Sequence, residues 1–347
     1  MPKVQIIVPV YNPPEKLFRD CLRSIAAQEH ADFSCVLVDD GSNPDIAAIC
    51  DETAACDSRF RVIHKQNEGT ACARRDGSLA ALAAGAEFVV YFDSDDTADT
   101  KYISTLLGKL LETNADACFC GMNHVCVGNT AAFDWDPSPA ECGTSDDHRG
   151  ILQSCFEIPH KRFGFRGVLW AGIYRAFLLD GVDWEFTKVK LGQDARLSLQ
   201  LMLNVKKAAY CHEKLYNYVQ HGSSAVRIPN LLAWRGYTIP NLFAMADCIK
   251  NRFPEFDFTD YCARVEACEY DRLLEERLKS GADRRILRDE IRECVRHIRH
   301  AMKYPGALSW CASRRRRVGL RVLDNAGLHV YFAYRFLAKT ESYPEKK

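Results

Sequence analysis

No stretch of 18 residues in this 347-residue chain is both apolar and uncharged, so nothing in it reads as a helix of about 20 residues crossing a bilayer. The apolar run near the start, Val4 to Val8, is interrupted by Pro9 and falls short of the roughly 7–15-residue core of a secretory signal. Net charge is missing too. The 46 Lys plus Arg balance 46 Asp plus Glu, so overall charge points to no nucleic-acid partner. Glycine-rich phosphate loops are also absent. A dinucleotide fingerprint would place glycines after the first strand, where the chain has Val10-Tyr11-Asn12-Pro13-Pro14, and no GxxxxGK[ST] loop follows any predicted strand. A diphosphate bound here needs a different counter-charge.

What is present is ordinary globular material, 47% apolar and 27% charged, which excludes a disordered tail, a collagen-like chain and a coiled-coil rod. At about 100–200 residues per domain the length suggests two domains, or one large one with an extension. Sixteen cysteines are scattered through apolar stretches rather than set in a small disulfide framework. That usage fits packing thiols in a reducing cytoplasm.

The first half alternates strands and helices. Apolar runs at 4–8, 34–38, 61–63 and 88–92 read as strands, separated by helical patterns within 14–28, 46–55 and 71–84. Such alternation predicts an α/β fold with a mostly parallel central sheet covered by helices on both faces. In open sheets of this kind ligands bind beyond the carboxyl ends of the strands. The clusters Asp39-Asp40-Gly41-Ser42 and Asp93-Ser94-Asp95-Asp96 fall at those ends and should converge on one crevice. Two carboxylates one residue apart suit a hard divalent cation, and Mg²⁺ is usually held by one or two carboxylates plus substrate phosphates. Taken alone, the second cluster reads equally well as the cap of a helix over 100–111.

The clusters do not stand alone. VPVYN at 8–12, VDDGS at 38–42, QNEGTACARRDG at 66–77, YFDSDD at 91–96, LWAGIYR at 169–175 and LGQD at 191–194 follow one another in order. In these blocks the chain resembles the family 2 glycosyltransferases, over residues 3–225. The resemblance implies the GT-A nucleotide-diphospho-sugar transferase fold for residues 1–225, followed by an α-helical C-terminal region over 226–347. It also implies roles for matching positions. Pro9, Tyr11 and Asn12 would line the base pocket and Asp39 would accept a hydrogen bond from the base. Asn67, Gly69 and Arg74 would lie along the nucleotide, with Asp93 and Ser94 also on the donor. Asp95 would ligate Mn²⁺ or Mg²⁺, joined by Asp93 and by His221. These roles make physical sense residue by residue: a strand-end Tyr stacks on a base, and a glycine permits close backbone approach.

The later blocks concern the acceptor. Asp194 precedes an apolar helical pattern, and the family's aspartate at this position is taken as the general base. A sugar hydroxyl needs one, because it is a poor nucleophile until its proton is removed. A simple helix cap is the plainer reading of Asp194. Gln193 stands where the family usually has Glu, and Gly172 where Lys is common; Gln193 and Trp170 are the candidate acceptor contacts, Trp170 offering an apolar face to a sugar ring. A large aromatic is more often simply core. The activity implied is transfer from a UDP-sugar to a hydroxyl of a saccharide or lipid-linked acceptor, with inversion, in bacterial cell-surface polysaccharide assembly. The two departures at 172 and 193 motivate a competing reading, a non-catalytic sugar-nucleotide-binding or scaffolding subunit.

Two further features are weighed. Cys118-Phe119-Cys120 with His124 and Cys126 lacks the CxxC spacing of a zinc knuckle, and strand-like alternation makes these packing cysteines. Residues 284–347 carry 16 basic against 6 acidic side chains. Arg285, Arg288, Arg292, Arg296 and Arg299 form one stripe of an amphipathic helix, followed by Arg314 to Arg317 and an apolar, aromatic stretch over 318–337. Contact with an anionic membrane surface and a solvated face on a helical cap explain this equally well. Nucleic-acid binding is disfavoured, since no recognition motif accompanies the charge. The implied location is the cytoplasm, peripheral to the inner membrane face if the basic end binds lipid.

Overall fold

A computed structural model of the chain describes residues 4–128, 142–155, 168–189, 192–222, 231–279, 284–308 and 320–321. They divide between two compact units, Met1–Arg227 and Ile228–Lys347.

The first unit begins with β1 (Val4–Val10), a β-branched run buried along its whole length, as a central strand covered on both faces must be. It pairs in parallel with β2 (Phe33–Asp39) and β4 (Phe88–Tyr91), and β2 pairs in parallel with β3 (Phe60–His64). The crossovers are α1 (Glu15–Ala26), α2 (Pro44–Cys56) and α3 (Thr70–Ala83). Helix α1 buries Leu17, Phe18, Cys21, Leu22 and Ile25, one stripe at spacings of three and four. Helix α2 is fixed at its start by Asn43, whose side chain accepts from the N–H groups of Asp45 and Ile46, with Pro44 at the first position. Helix α1 packs in the cluster that contains Val4, Ile6 and Val8, whereas α3 lies on the other face, against Ile7 and Val38. Gly77 makes that approach possible: a Cβ there would sit 2.5 Å from Ile7 Cγ2. Close seating of α3 carries Arg74, one turn earlier, down onto the strand ends.

The rest of the unit comprises β5 (Thr97–Ala98), α4 (Tyr102–Thr113), β6 (Ala117–Cys126), β7 (Gly143–Ser145), α5 (His148–Ser154), β8 (Gly172–Arg175), α6 (Trp184–Thr187), α7 (Gln193–Met202) and β9 (Ala208–Gln220). The sheet runs β3-β2-β1-β4-β8-β6-β9-β5, with β7 on β9. Its first four strands are parallel, as expected. Beyond β4 it is mixed: β8 is antiparallel to β4 and β6, β6 is parallel to β9, and β5 and β7 run antiparallel to β9. The α/β class holds. The alternating pattern extended only through residue 92, and strands of two or three residues such as β5 and β7 are too short to show a period of two.

The second unit is helical, with α8 (Leu231–Arg252), α9 (Thr259–Lys279) and α10 (Arg284–Ala301). Its core gathers Ile239, Tyr270, Leu273, Leu274, Cys294 and Ile298. Arg292, Arg296 and Arg299 are exposed along α10. The side chains of Arg285 and Arg288, the run Arg314 to Arg317 and the stretch 318–337, apart from Leu320 and Arg321, lie outside the described residues. Among the described residues no helix is long and apolar enough to cross a membrane.

Candidate functional site

The carboxyl ends of β1, β2 and β3 are latched together by side chains. After β1 the backbone of Asn12 turns left-handed, φ 47°, and its N–H donates to Ser42 Oγ at 3.2 Å. Asn12 Oδ1 accepts from the backbone and side-chain N–H groups of Asn43, both at 2.8 Å. Pro9 is buried within β1, whereas Tyr11 is 56% exposed, an open ring at the rim. Asp39 is buried; its Oδ1 accepts from the Ser42 N–H at 2.9 Å and its Oδ2 meets His64 Nδ1 at 2.8 Å. His64 Nε2 in turn meets Asp51 Oδ1 at 3.0 Å. Burial alone would raise the pKa of Asp39, but the hydrogen bonds of Ser42 and His64 outweigh it and hold the carboxyl below its ordinary range. The hydrogen bonds to Asp39 and Asp51 raise that of His64.

Asp40 does a different job. Its two oxygens accept from the N–H groups of Glu68 (3.0 Å) and Gly69 (2.8 Å), fixing the loop before α3. Gly41 (φ 76°) faces that loop so closely that a Cβ would lie 2.9 Å from Asn67 N. Gly69, at φ 93°, borders open space with nothing within 4 Å of a would-be Cβ, room for a ligand at the start of a helix. Asn67 is exposed beside it.

At the end of β4, residues 93–96 fold into a turn closed by the Asp96 N–H on the Asp93 carbonyl at 3.2 Å. Arg74, 3% exposed, donates from Nη2 to Asp93 Oδ1 at 2.7 Å and sets Nη1 3.3 Å from Asp194 Oδ1. Burial opposes its charge, but the two aspartates outweigh it and raise its pKa. Burial pushes Asp93 up to about 6, with Arg74 opposing and Asp194 and Asp95 adding to the rise. Asp95 Oδ2 meets His221 Nε2 at 2.9 Å. Asp96 is buried and accepts from Tyr216 Oη (2.9 Å) and the Val219 N–H (2.7 Å), while Tyr216 Oη accepts from the Asp93 N–H at 3.2 Å. Ser94 lies half-buried between these anchors.

Helix α7 brings in the second block. Its cap position is Gly192, at φ 78°, with Gln193 and Asp194 opening the helix. Asp194 is therefore not the cap; it stands in the first turn, 34% exposed, on Arg74. Both Asp194 and Gln193 retain access to solvent.

Trp170 requires a correction. It is 3% exposed and stacked on Tyr216 (4.9 Å between centroids) and Tyr218 (5.2 Å), so its ring is core and offers no open face to a sugar. Alternate residues of β9 present both tyrosines on one side of the strand, and the indole covers them. Gly172 is explained as well: a Cβ there would meet Phe119 Cδ1 at 2.9 Å, leaving no room for a lysine. Cys118 and Cys120 are buried, Cys118 Sγ lying 3.9 Å from Cys211 Sγ.

Asp95 and His221 offer a carboxylate and an imidazole side by side, a fitting donor pair for a divalent cation. Asp93 adds one oxygen while Arg74 holds the other. These three do not close by themselves into a set with ligand atoms within 4.8 Å of one another, as suits an ion completed by substrate phosphates. His64 carries no signal in the sequence beyond its place at a strand end, and Asp40 and Asp96 stand out there only as members of acidic clusters.

The model of the family described as Glycosyl transferase family 2 matches residues 5–172. The chain is 31% identical over 260 residues to glycosyltransferase GlyG of Streptococcus pneumoniae serotype 4, covering 71% of this chain and 80% of GlyG. It is 28% identical over 287 residues to glycosyltransferase GlyA of the same organism, covering 80% of this chain and 38% of GlyA, so it spans well under half of that relative. In fold it is similar to residues 1–349 of S. aureus TarS, with a TM-score of 0.66 at 18% identity over 99% of this chain and 93% of that one.

Proposed function

Because the chain belongs to glycosyl transferase family 2, we propose that residues 1–225 move a sugar from a UDP-sugar to a hydroxyl of a saccharide or lipid-linked acceptor, with inversion, in bacterial cell-surface polysaccharide assembly. The observation that carries the reading is Arg74, which holds Asp93 of the acidic turn and Asp194 of α7 on one guanidinium. Two sequence blocks a hundred residues apart thereby face one crevice. The TarS structures with UDP-GlcNAc and with UDP support a uridine nucleotide as the donor's carrier.

In this reading Tyr11 stacks on the base and Asp39 accepts the base imide N–H, its oxygens aimed by Ser42 and His64. Asn67 and the open backbone at Gly69 receive the diphosphate at the start of α3, where helix N–H groups favour an anion. Asp95 and His221, with Asp93, would hold Mn²⁺ or Mg²⁺, whose charge would offset that of the departing diphosphate. Asp194, with Oδ1 oriented by Arg74, takes the proton of the acceptor hydroxyl through its other oxygen. That hydroxyl attacks the anomeric carbon on the face opposite the diphosphate, and the carbon–oxygen bond to the diphosphate breaks. With Asp194 as the base and Asp93 and Asp95 given to the cation, no enzyme nucleophile is left among the described residues of the crevice, and the reading gives inversion. Exposed Arg292, Arg296 and Arg299 of α10 suit anionic headgroups, which supports a cytoplasmic enzyme working at the membrane face.

Asp194→Asn tests the assignment. Transfer from a panel of UDP-sugars to saccharide and lipid-linked acceptors should fall by about 10²–10⁴-fold, the usual contribution of a general base, while calorimetry finds UDP binding unchanged. Wild-type turnover by this variant would remove Asp194 from the chemistry. A wild-type protein that binds UDP-sugars yet transfers none would instead be a binding subunit.

A further inference from the structure

We propose that Cys142, His212 and Glu213, which take no part in the crevice, form a zinc site where β7 meets β9. The backbone creates the site. Along the β6–β9 ladder Phe119 pairs with Tyr210 and Gly121 with Lys214, so β9 spends four residues where β6 spends two. The surplus bulges out. A regular strand would alternate inward and outward, but His212, Glu213 and Lys214 are exposed in succession, the re-aiming that a bulge produces. On the other edge Gly143 of β7 pairs with Tyr210, which sets Cys142 opposite the bulge.

The donor atoms then converge. Cys142 Sγ lies 2.7 Å from His212 Nδ1 and accepts from the His212 N–H at 3.3 Å, and Glu213 Oε2 lies 3.9 Å from His212 Nδ1. All three ligand atoms fall within 4.8 Å of one another, a convergence reached by no other group of three or more His, Cys, Asp or Glu among the described residues. A thiolate, an imidazole nitrogen and a carboxylate are the three ligand types zinc takes, at about 2.3, 2.0–2.1 and 2.0–2.2 Å. Those lengths separate sulfur and nitrogen by about 3.5 Å around a tetrahedral ion. The Sγ–Nδ1 separation of 2.7 Å must therefore open by a fraction of an ångström to admit the ion. On binding, the S–H bond breaks, its proton passes to water, and a zinc–sulfur bond forms; His212 contributes its neutral Nδ1 lone pair and water fills the fourth position. The soft sulfur selects zinc over the Mg²⁺ or Mn²⁺ suited to an oxygen-rich nucleotide site. The ion would staple β7 to β9.

The full chain, reduced and dialysed against Zn²⁺ in excess Mg²⁺, should retain one zinc per chain by elemental analysis. The Co²⁺-loaded protein should show a thiolate-to-cobalt charge-transfer band. Cys142→Ser and His212→Ala should each lose the zinc and the band, and Glu213→Gln should weaken zinc binding at least tenfold. Cys56→Ser and Cys126→Ser, which remove the other exposed thiols among the described residues, should retain both signals, as should Asp95→Asn/His221→Ala. Zinc retained in full by Cys142→Ser, or a wild-type cobalt spectrum without the band, would overturn the site. Loss of zinc only in Asp95→Asn/His221→Ala would place the ion in the crevice and overturn it equally.

Discussion

Arg74 Nη1 stands 3.3 Å from Asp194 Oδ1 while the same guanidinium donates to Asp93 Oδ1 at 2.7 Å. One buried side chain thereby joins the tip of a strand to the first turn of a helix that follows it a hundred residues later. Arg74→Met leaves two carboxylates facing each other without a cation. Breaking a fully buried pair costs about 3–5 kcal/mol, and because both aspartates keep some access to water we expect about 2 kcal/mol in urea denaturation. Transfer should fall more than tenfold. Arg74→Lys restores the charge but not the fork that reaches both oxygens, so it should recover stability better than turnover.

His64 gives the carboxyl ends of β2 and β3 a pH signature. Its pKa is raised from the ordinary 6.5, so its share of stability is full below that value and is lost as pH rises through the raised one. Asp39 is lowered from 3.8, so its share is present above that value and is lost as pH falls through the lowered one. The pair therefore supports the fold most between these two ordinary values. Melting temperatures from pH 4 to 9 should decline on the alkaline side more steeply for the wild type than for His64→Gln. Parallel curves would show that the pair contributes nothing.

His221→Ala should remove most of the extra thermal stabilisation that Mn²⁺ adds to UDP, while leaving the stabilisation by UDP alone. A ligand that binds only the folded state raises its melting temperature, and a tenfold weaker site in excess ligand loses about 1.4 kcal/mol of that effect. An unchanged Mn²⁺ increment would take the imidazole out of the cation's coordination.

Trp170→Ala should destabilise by about 3–5 kcal/mol, the range for emptying a buried aromatic site. Trp170→Phe should keep most of the stacking on Tyr216 and Tyr218, with the acceptor KM at its wild-type value. A raised acceptor KM in Trp170→Phe at full stability would return Trp170 to the acceptor site.

Much of this was legible in the chain itself. The strands at 4–8, 34–38 and 88–92 have a dense β-branched or aromatic pattern because both faces are buried, the edge strand at 61–63 is shorter and half-exposed, and polar clusters mark where the first, second and fourth stop. The individual duties of neighbouring carboxylates were not legible. Asp39 and Asp40 are adjacent letters, yet one faces His64 and the other holds the loop at Gly69; a strand alternates sides, and only the loop that closes over it decides what each side meets. Asp96 reads like Asp93 and Asp95 but is buried under Tyr216 and Val219, partners more than a hundred residues away. Trp170 hides for the same reason: its neighbours are supplied by β9, whose place in the sheet no local pattern records.

The latches at the ends of β1, β2 and β3 have a consequence for how the proposed donor arrives. Asp40 grips two backbone N–H groups, Asn12 grips Asn43, and Gly41 brings its loop close to Asn67, all through contacts internal to the protein. The proposed receptacle for the nucleotide is thus shaped by the protein's own contacts. Among the described residues of these latches little chain ordering is left to accompany capture, and stopped-flow traces of UDP uptake should show a single bimolecular phase whose rate rises linearly with nucleotide concentration.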